Sequence, residues 1–303
     1  MAKKRGSKKS SGGAGTSLRL RDGLEFMAGD TLVELRVDQQ LATVFLDSYE
    51  SSCINLQDPT DLEFEYMQQM TAALSAFIPE GAVEALHLGG CACALPLAWD
   101  RERPGSAQTV VELNGALAES MRELFDLPRA PRLKIRVDEA WRAVQSMRPE
   151  RFDVLVRDVF AGPRTPMPLR SIEFFRRAKQ VLRPGGLLLV NCVHGAGIDA
   201  RADCAGALEA FEHVAIVSEG KILNGGRRGN VVIVAYKPAD EDEPVAQYFE
   251  ELQRLLRKLP ISSRYLNRQQ ATKWVGTVIP IKEAEFSRRS PTEVERDGAA
   301  LDG

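Results

Sequence analysis

The chain has 303 residues with 40 Lys and Arg against 42 Asp and Glu, a formal net charge of −2, so no global field draws it to nucleic acid or an anionic membrane. Its length allows one large domain or one with a smaller companion, and 44% hydrophobic residues can build an ordinary globular core. Five cysteines, an odd number in a chain too long to need a disulfide framework, fit a reduced, cytoplasmic setting. No run reaches the roughly 18 apolar residues of a membrane span. The expected partner is a small molecule.

Residues 1–17, beginning "MAKKRGSKKSSGGAGT", have nothing to bury and are expected to form a disordered basic tail. A nucleic-acid-binding arm is the functional alternative to a solvated tail. From 18 to 60 the β-branched runs "TLVELRV" and "LATVFLD" stand between "RDGLEF", "AGD" and "VDQQ", which read as turns. They predict a small N-terminal antiparallel β domain whose open edges suit pairing across a two-fold axis, hence a homodimer. "DPTDLEFEYMQQMTAALSAF" then sets Leu62, Tyr66, Met70, Ala73, Leu74 and Phe77 at three- and four-residue steps, an amphipathic helix with Asp61 as its N-cap.

That helix opens the main domain, 61–240. The runs "VEALHL", "QTVVEL", "RLKIRV", "FDVLVRD" and "GLLLVNCV" alternate with helix-period stretches, most clearly "GALAESMRELF" and "LRSIEFFRRAKQVL". Such alternation implies right-handed crossovers and a parallel sheet covered on both faces. The last runs, "HVAIVSE" and "RGNVVIVAY", are joined by "GKILNGGRRGN", too short for a crossover helix. The prediction is an α/β fold with a seven-stranded, doubly wound, Rossmann-like sheet that closes in an antiparallel hairpin. A helical extension, 241–287, follows, with Phe249, Leu252, Leu255 and Leu256 on one face, placed either to lid a pocket or to cover a dimer edge. Residues 288–303 form a polar tail.

In such a sheet a ligand sits beyond the carboxyl ends of the strands where their order reverses. There, in "EALHLGGCACALPLAWD", Gly89 and Gly90 permit a tight turn and close approach of backbone to a ligand, although the literal G-x-G-x-x-G spacing is absent. A plain strand-to-helix turn is the alternative. Glu112 ends the second strand 23 positions after Gly89, close to the spacing of an acid that accepts from a ribose. Asp138 ends the third strand, either to meet an adenine amino group or to cap a helix. Asp158 ends the fourth strand, facing the middle of the pocket, as a general base or anchor for a cation, or in an ion pair with Arg157 or Arg164. Cys91, Cys93, His87 and His194 do not make a metal site, because the C-x-C lacks a second cysteine pair and His87 lies within an apolar strand.

In this order the features resemble the spermidine synthases, polyamine aminopropyltransferases that share the fold of S-adenosylmethionine-dependent methyltransferases. The resemblance covers roughly residues 18–237. It is carried by "TVFLDSYESSCINLQDPTDLEFEYMQQM", "LHLGGCACA", "RFDVLVRD" and "VLRPGGLLLVN". It implies Gly89, Gly90, Glu112 and Asp138 around the nucleoside, Tyr66 and Gln68 on the substrate, and Asp158 as the group that deprotonates the attacking amine. The implied donor is decarboxylated S-adenosylmethionine, with methylthioadenosine leaving and no metal. The departures fall on the amine side. Ala92 replaces the loop aspartate, Ala161 the second acid of a D-x-x-D motif, Gln68 the acid of a Tyr-x-Glu motif, and Ser51 a glutamine, while the tyrosine-containing loop becomes "ILNGGRRGN". Losing one partner of a buried charge costs about 3 to 5 kcal/mol, so ordinary diamine binding should suffer. Three functions follow: an aminopropyltransferase with an eroded polyamine site acting on a small-molecule amine, a methyltransferase using intact S-adenosylmethionine, or a non-catalytic nucleoside-binding protein.

Overall fold

The computed structural model describes residues 18–162 and 164–286, so both expected tails, 1–17 and 288–303, lie outside the described residues. Four strands come first, β1 (Leu24–Ala28), β2 (Thr31–Asp38), β3 (Leu41–Leu46) and β4 (Tyr49–Asn55), paired in sequence order as an antiparallel meander. Two of them were not foreseen. β1 takes up the second half of the supposed turn "RDGLEF", bracketed by Gly23 and Gly29 at positive φ, and β4 is too rich in Ser and Glu to show an apolar run. Pairing with β3 nonetheless buries Ser52, Cys53 and Ile54 of β4.

The helix α1 (Glu65–Phe77) starts three residues later than an Asp61 N-cap predicted. Phe64 is the N-cap, and the Asp61 carboxylate instead accepts from Asn55 Nδ2 at 3.0 Å. Strands and helices then alternate as β5 (Glu84–Leu88), α2 (Ala94–Glu102), β6 (Ala107–Glu112), α3 (Gly115–Leu124), β7 (Leu133–Val137), α4 (Ala140–Ser146), β8 (Phe152–Arg157), α5 (Ile172–Val181) and β9 (Leu182–His194). After α6 (Arg201–Ala210) come β10 (His213–Ser218), the single turn α7 (Gly220–Leu223), β11 (Gly229–Lys237), α8 (Val245–Leu256), β12 (Arg264–Leu266), α9 (Arg268–Val275) and α10 (Glu283–Phe286).

The large sheet runs β12-β10-β11-β9-β8-β5-β6-β7, with β7 through β9 parallel and β11 antiparallel to both β9 and β10. The expected hairpin is present, with β11 folded inward between β9 and β10. An eighth strand, β12, was missed because three residues carry no periodic signal; it pairs with the outer edge of β10. Side chains alternate between faces along each strand. Leu187 and Leu189 pack into one core with α1, α2, α3 and α8, whereas Leu188 and Val190 pack into a second with α4, α5, α6 and α9. This two-sided burial is why the central strands read as unbroken apolar runs. α8 does not cover the cavity described below. Leu252 and Leu256 are buried against α1, with the rings of Phe77 and Phe249 4.8 Å apart. No helix among the described residues is long and apolar enough to cross a membrane.

Candidate active site

The strand order reverses between β5 and β8, where the chain leaves β5 in one direction and returns on its other side. The carboxyl end of β5 is tied to both of its neighbours: on the β8 side Asp158 N–H donates to Leu88 O at 2.9 Å, and on the β6 side Gly89 N–H donates to Val111 O at 2.9 Å. Above them opens a cavity of about 870 Å³, closed at its rim by the β3–β4 hairpin through Leu46, Tyr49, Glu50 and Ser51.

The glycines of the loop are there for space. Gly89 has φ +76°, and a Cβ on it would strike the carbonyl of Asp158; a Cβ on Gly90 would lie 2.6 Å from Val110 Cγ1. Cys91 and Cys93 also have positive φ, 39° and 60°, a conformation that favours glycine. Ala92 is fully buried in the core and faces away from the cavity lining, whereas Cys91 lines it. Burial pushes the Cys93 thiol up to about 12, so it is no nucleophile.

Glu112 lines the cavity beside this loop, and its Oε1 accepts from Asn114 N–H at 2.9 Å. Burial raises its pKa, while backbone N–H groups of Asn114, Cys91 and Leu113 oppose the rise. Asp138 also lines the cavity but is already engaged. It accepts from Glu139 N–H at 2.9 Å, from Arg142 Nε at 2.6 Å and from Arg136 Nη2. The Arg142 hydrogen bond, followed by that of Arg136, holds its carboxyl below the usual range. The helix cap weighed for Asp138 belongs to its neighbour: Glu139 caps α4, accepting from Trp141 and Arg142 N–H.

Asp158 has neither of the ion pairs considered for it. Its Oδ2 accepts from Tyr66 Oη at 2.8 Å and its Oδ1 from Asn191 Nδ2 at 2.9 Å. Asn191 Oδ1 in turn accepts from Asn230 Nδ2 at 2.8 Å. Asp158 borders the cavity, yet the packing around it desolvates the carboxyl and raises its pKa against those two hydrogen bonds. Burial and the Asp158 charge push the Tyr66 phenol well above its usual value, so the proton between them stays on tyrosine.

Arg157 turns the other way. Fully buried, it donates to Asp203 Oδ1 at 2.7 Å, Leu169 O at 2.7 Å and Asn191 O at 3.2 Å. The pair ties β8, β9 and α6 together directly beneath Asp158. Arg164 is exposed and lies outside the cavity lining.

Gln68, expected to meet substrate, lies outside the lining of the main cavity. Its Nε2 donates to Leu62 O at 2.6 Å, and it borders a separate, shallower cavity; its neighbour Gln69 lines the main one. Sequence reasoning also missed Asn191 and Asn230. The only signal for Asn191 was its place at the end of the "LLLVN" strand. His87 is occupied by Gln108 Oε1 at 3.0 Å, and burial lowers its pKa to about 4. Among the described residues no group of three His, Cys, Asp or Glu is arranged to hold a metal ion.

No protein-family model matches the chain. The crystal structure of a probable spermidine synthase from Corynebacterium glutamicum is 31% identical and superposes with a TM-score of 0.79, covering 90% of this chain and 100% of that one. The chain belongs to the spermidine synthase family. A polyamine aminopropyltransferase of Neisseria meningitidis is 26% identical over 218 residues, 70% of this chain and 76% of that protein. A spermidine synthase solved with the transition-state analogue AdoDATO shares the fold at 13% identity, with a TM-score of 0.56 over 90% of this chain and 87% of that one. These relatives mark an aminopropyltransferase-like, divergent member of the family and do not favour the methyltransferase alternative.

Proposed function

We propose that the chain is an aminopropyltransferase that uses a decarboxylated S-adenosylmethionine-type donor and a small-molecule amine. The setting of Asp158 carries this reading: a desolvated carboxylate on the cavity wall, held by a phenol and an amide, with no Lys or Arg of the described residues on its oxygens. A carboxylate clamped by arginine is a fixed anion. One oriented by neutral donors keeps the capacity to take a proton.

In this reading the donor nucleoside lies against Gly89 and Gly90, its ribose hydroxyls donate to Glu112, and its adenine lies on the Asp138 side. Asp158 takes a proton from the acceptor ammonium. The freed nitrogen lone pair forms a bond to the carbon next to the donor sulfonium, the C–S bond breaks, and its electrons return to sulfur, which leaves as the neutral thioether of methylthioadenosine. The protein contributes orientation and exclusion of water around that displacement. With Ala92, Ala161 and Ser51 where the family pattern has polar groups, the acceptor's remaining contacts must come from other residues.

The test is calorimetric titration with decarboxylated and intact S-adenosylmethionine, followed by methylthioadenosine release across an amine panel. Selective binding of the decarboxylated donor and amine-dependent release are expected. Preference for the intact donor, or no release with any amine, would overturn the proposal.

A further inference from the structure

An ionised carboxyl can only accept hydrogen bonds, and this fixes how the two asparagines beside Asp158 must lie. Asn191 has to turn its NH2 toward the carboxylate, and its Nδ2 donates to Asp158 Oδ1 at 2.9 Å. The other end of the amide is then an oxygen, which accepts from Asn230 Nδ2 at 2.8 Å. Asn230, Asn191 and Asp158 thus form one polarised row in which every N–H points toward the carboxylate.

Sheet register creates the row. Asn191 of β9 lies opposite Val232 of β11, so Asn230, two residues away, is its diagonal neighbour on the same face. Both backbones are pinned, because Arg157 Nη2 donates to Asn191 O at 3.2 Å and Ser218 Oγ to Asn230 O at 2.6 Å. Asn191 is 1% exposed, whereas Asn230 is half-buried on the cavity wall. The two ends of an amide are nearly alike in shape, so packing does not choose between its orientations; its hydrogen-bond partners do. Turning the Asn191 oxygen toward Asp158 would set acceptor against acceptor at one end and donor against donor at the other. The remaining groups facing Asp158 are the Tyr66 phenol from α1, the Cys91 thiol from the glycine loop, kept neutral by burial, and Arg157 on β8, whose charge is engaged by Asp203. Glu219, Arg227 and Arg228, from the β10–β11 connection, line the same cavity as Asn230.

We propose that Asn230 is a positioning residue: its amide N–H holds Asn191 in the one orientation that presents NH2 to Asp158, and so keeps the base hydrogen-bonded and aimed. Asn230 acts through Asn191 and does not touch Asp158 itself. The proposal rests on the aminopropyl-transfer reading for what Asp158 does, but not for how Asp158 is held.

The experiment follows the side-chain carboxyl carbon of Asp158 by NMR against pH in the full-length protein, its resonance identified by its loss in Asp158→Asn. Asn230→Asp replaces the donor by an acceptor of the same shape, so Asn191 should turn its NH2 toward the new carboxylate and away from Asp158. With one hydrogen bond to its charged form lost, Asp158 should gain about tenfold in proton affinity, while methylthioadenosine affinity stays unchanged. The added negative charge acts in the same direction, and the same substitution in an Asn191→Leu background, where no amide can turn, isolates it; there the gain should be much smaller. Asn191→Ala serves if the leucine variant does not fold. No gain from Asn230→Asp alone, or an equal gain in both backgrounds, would overturn the proposal. The acid limb of methylthioadenosine release, measured in parallel, should move to higher pH with the carboxyl. If the carboxyl responds as expected but no amine supports release, the transfer reading falls and the role of Asn230 stands.

Discussion

Asp158 and Asp138 follow two parallel strands of one sheet and line one cavity, yet their surroundings treat them in opposite ways. Asp138 meets two arginines, and its carboxyl is held below the usual range; Asp158 meets a phenol and an amide, and burial pushes it up. The contrast separates a carboxylate kept permanently charged from one made ready to exchange a proton. Arg157 sharpens the point. It is the residue next to Asp158, but its guanidinium is drawn to Asp203 and leaves the Asp158 oxygens to neutral donors.

The largest expected effect comes from removing the proton acceptor. Asp158→Asn should lower methylthioadenosine release by about 10² to 10⁴ with donor affinity preserved; an equal loss from Asp138→Asn would erase the distinction between the two carboxylates. Gly89→Ala should follow, because a Cβ at φ +76° meets the Asp158 carbonyl. A loss of about 1 to 3 kcal/mol in unfolding free energy is expected, and a neutral result would mean that the loop does not press on Asp158.

Tyr66→Phe removes a hydrogen bond that favours the Asp158 carboxylate. Its pKa then rises further, so the acid limb of the pH–rate profile should move to higher pH, with about a tenfold loss at neutral pH. An unmoved limb would assign that limb to another group.

Stability gives an independent view of the same carboxyl. Because its folded pKa is raised, the native state binds more protons than the unfolded one between the two values, and stability falls as pH rises through that window. Asp158→Asn should therefore melt at a higher temperature than wild type at neutral pH, with the gap closing in acid. The smallest effect belongs to the other aspartate: Arg142→Ala breaks a solvent-exposed pair with Asp138 and should leave the melting temperature nearly unchanged.

Much of the sheet could be read from periodicity. The apolar runs around Leu86, Val154 and Leu188 are buried on both faces, and the short "GKILNGGRRGN" link correctly implied an antiparallel hairpin. β4 and β12 escaped notice because one buries Ser52 and Cys53 by pairing and the other is three residues of sheet edge. In the site, the position of Asp158 was legible because it follows a strand at the reversal of order. Its partners were not, since Tyr66 and Asn191 lie 92 and 33 residues away.

Strand and helix alternation, the place of the glycine loop and the acids at the strand ends came from sequence by itself, because local conformation and burial leave a short-range pattern in residue type. Tertiary structure alone decided that Gln69 rather than Gln68 faces the cavity, a rotation of about 100° on α1. It also decided that arginines hold Asp138 while neutral donors hold Asp158. Those choices depend on how helices are rotated and which strand ends meet, and chain-distant neighbours leave no local signal.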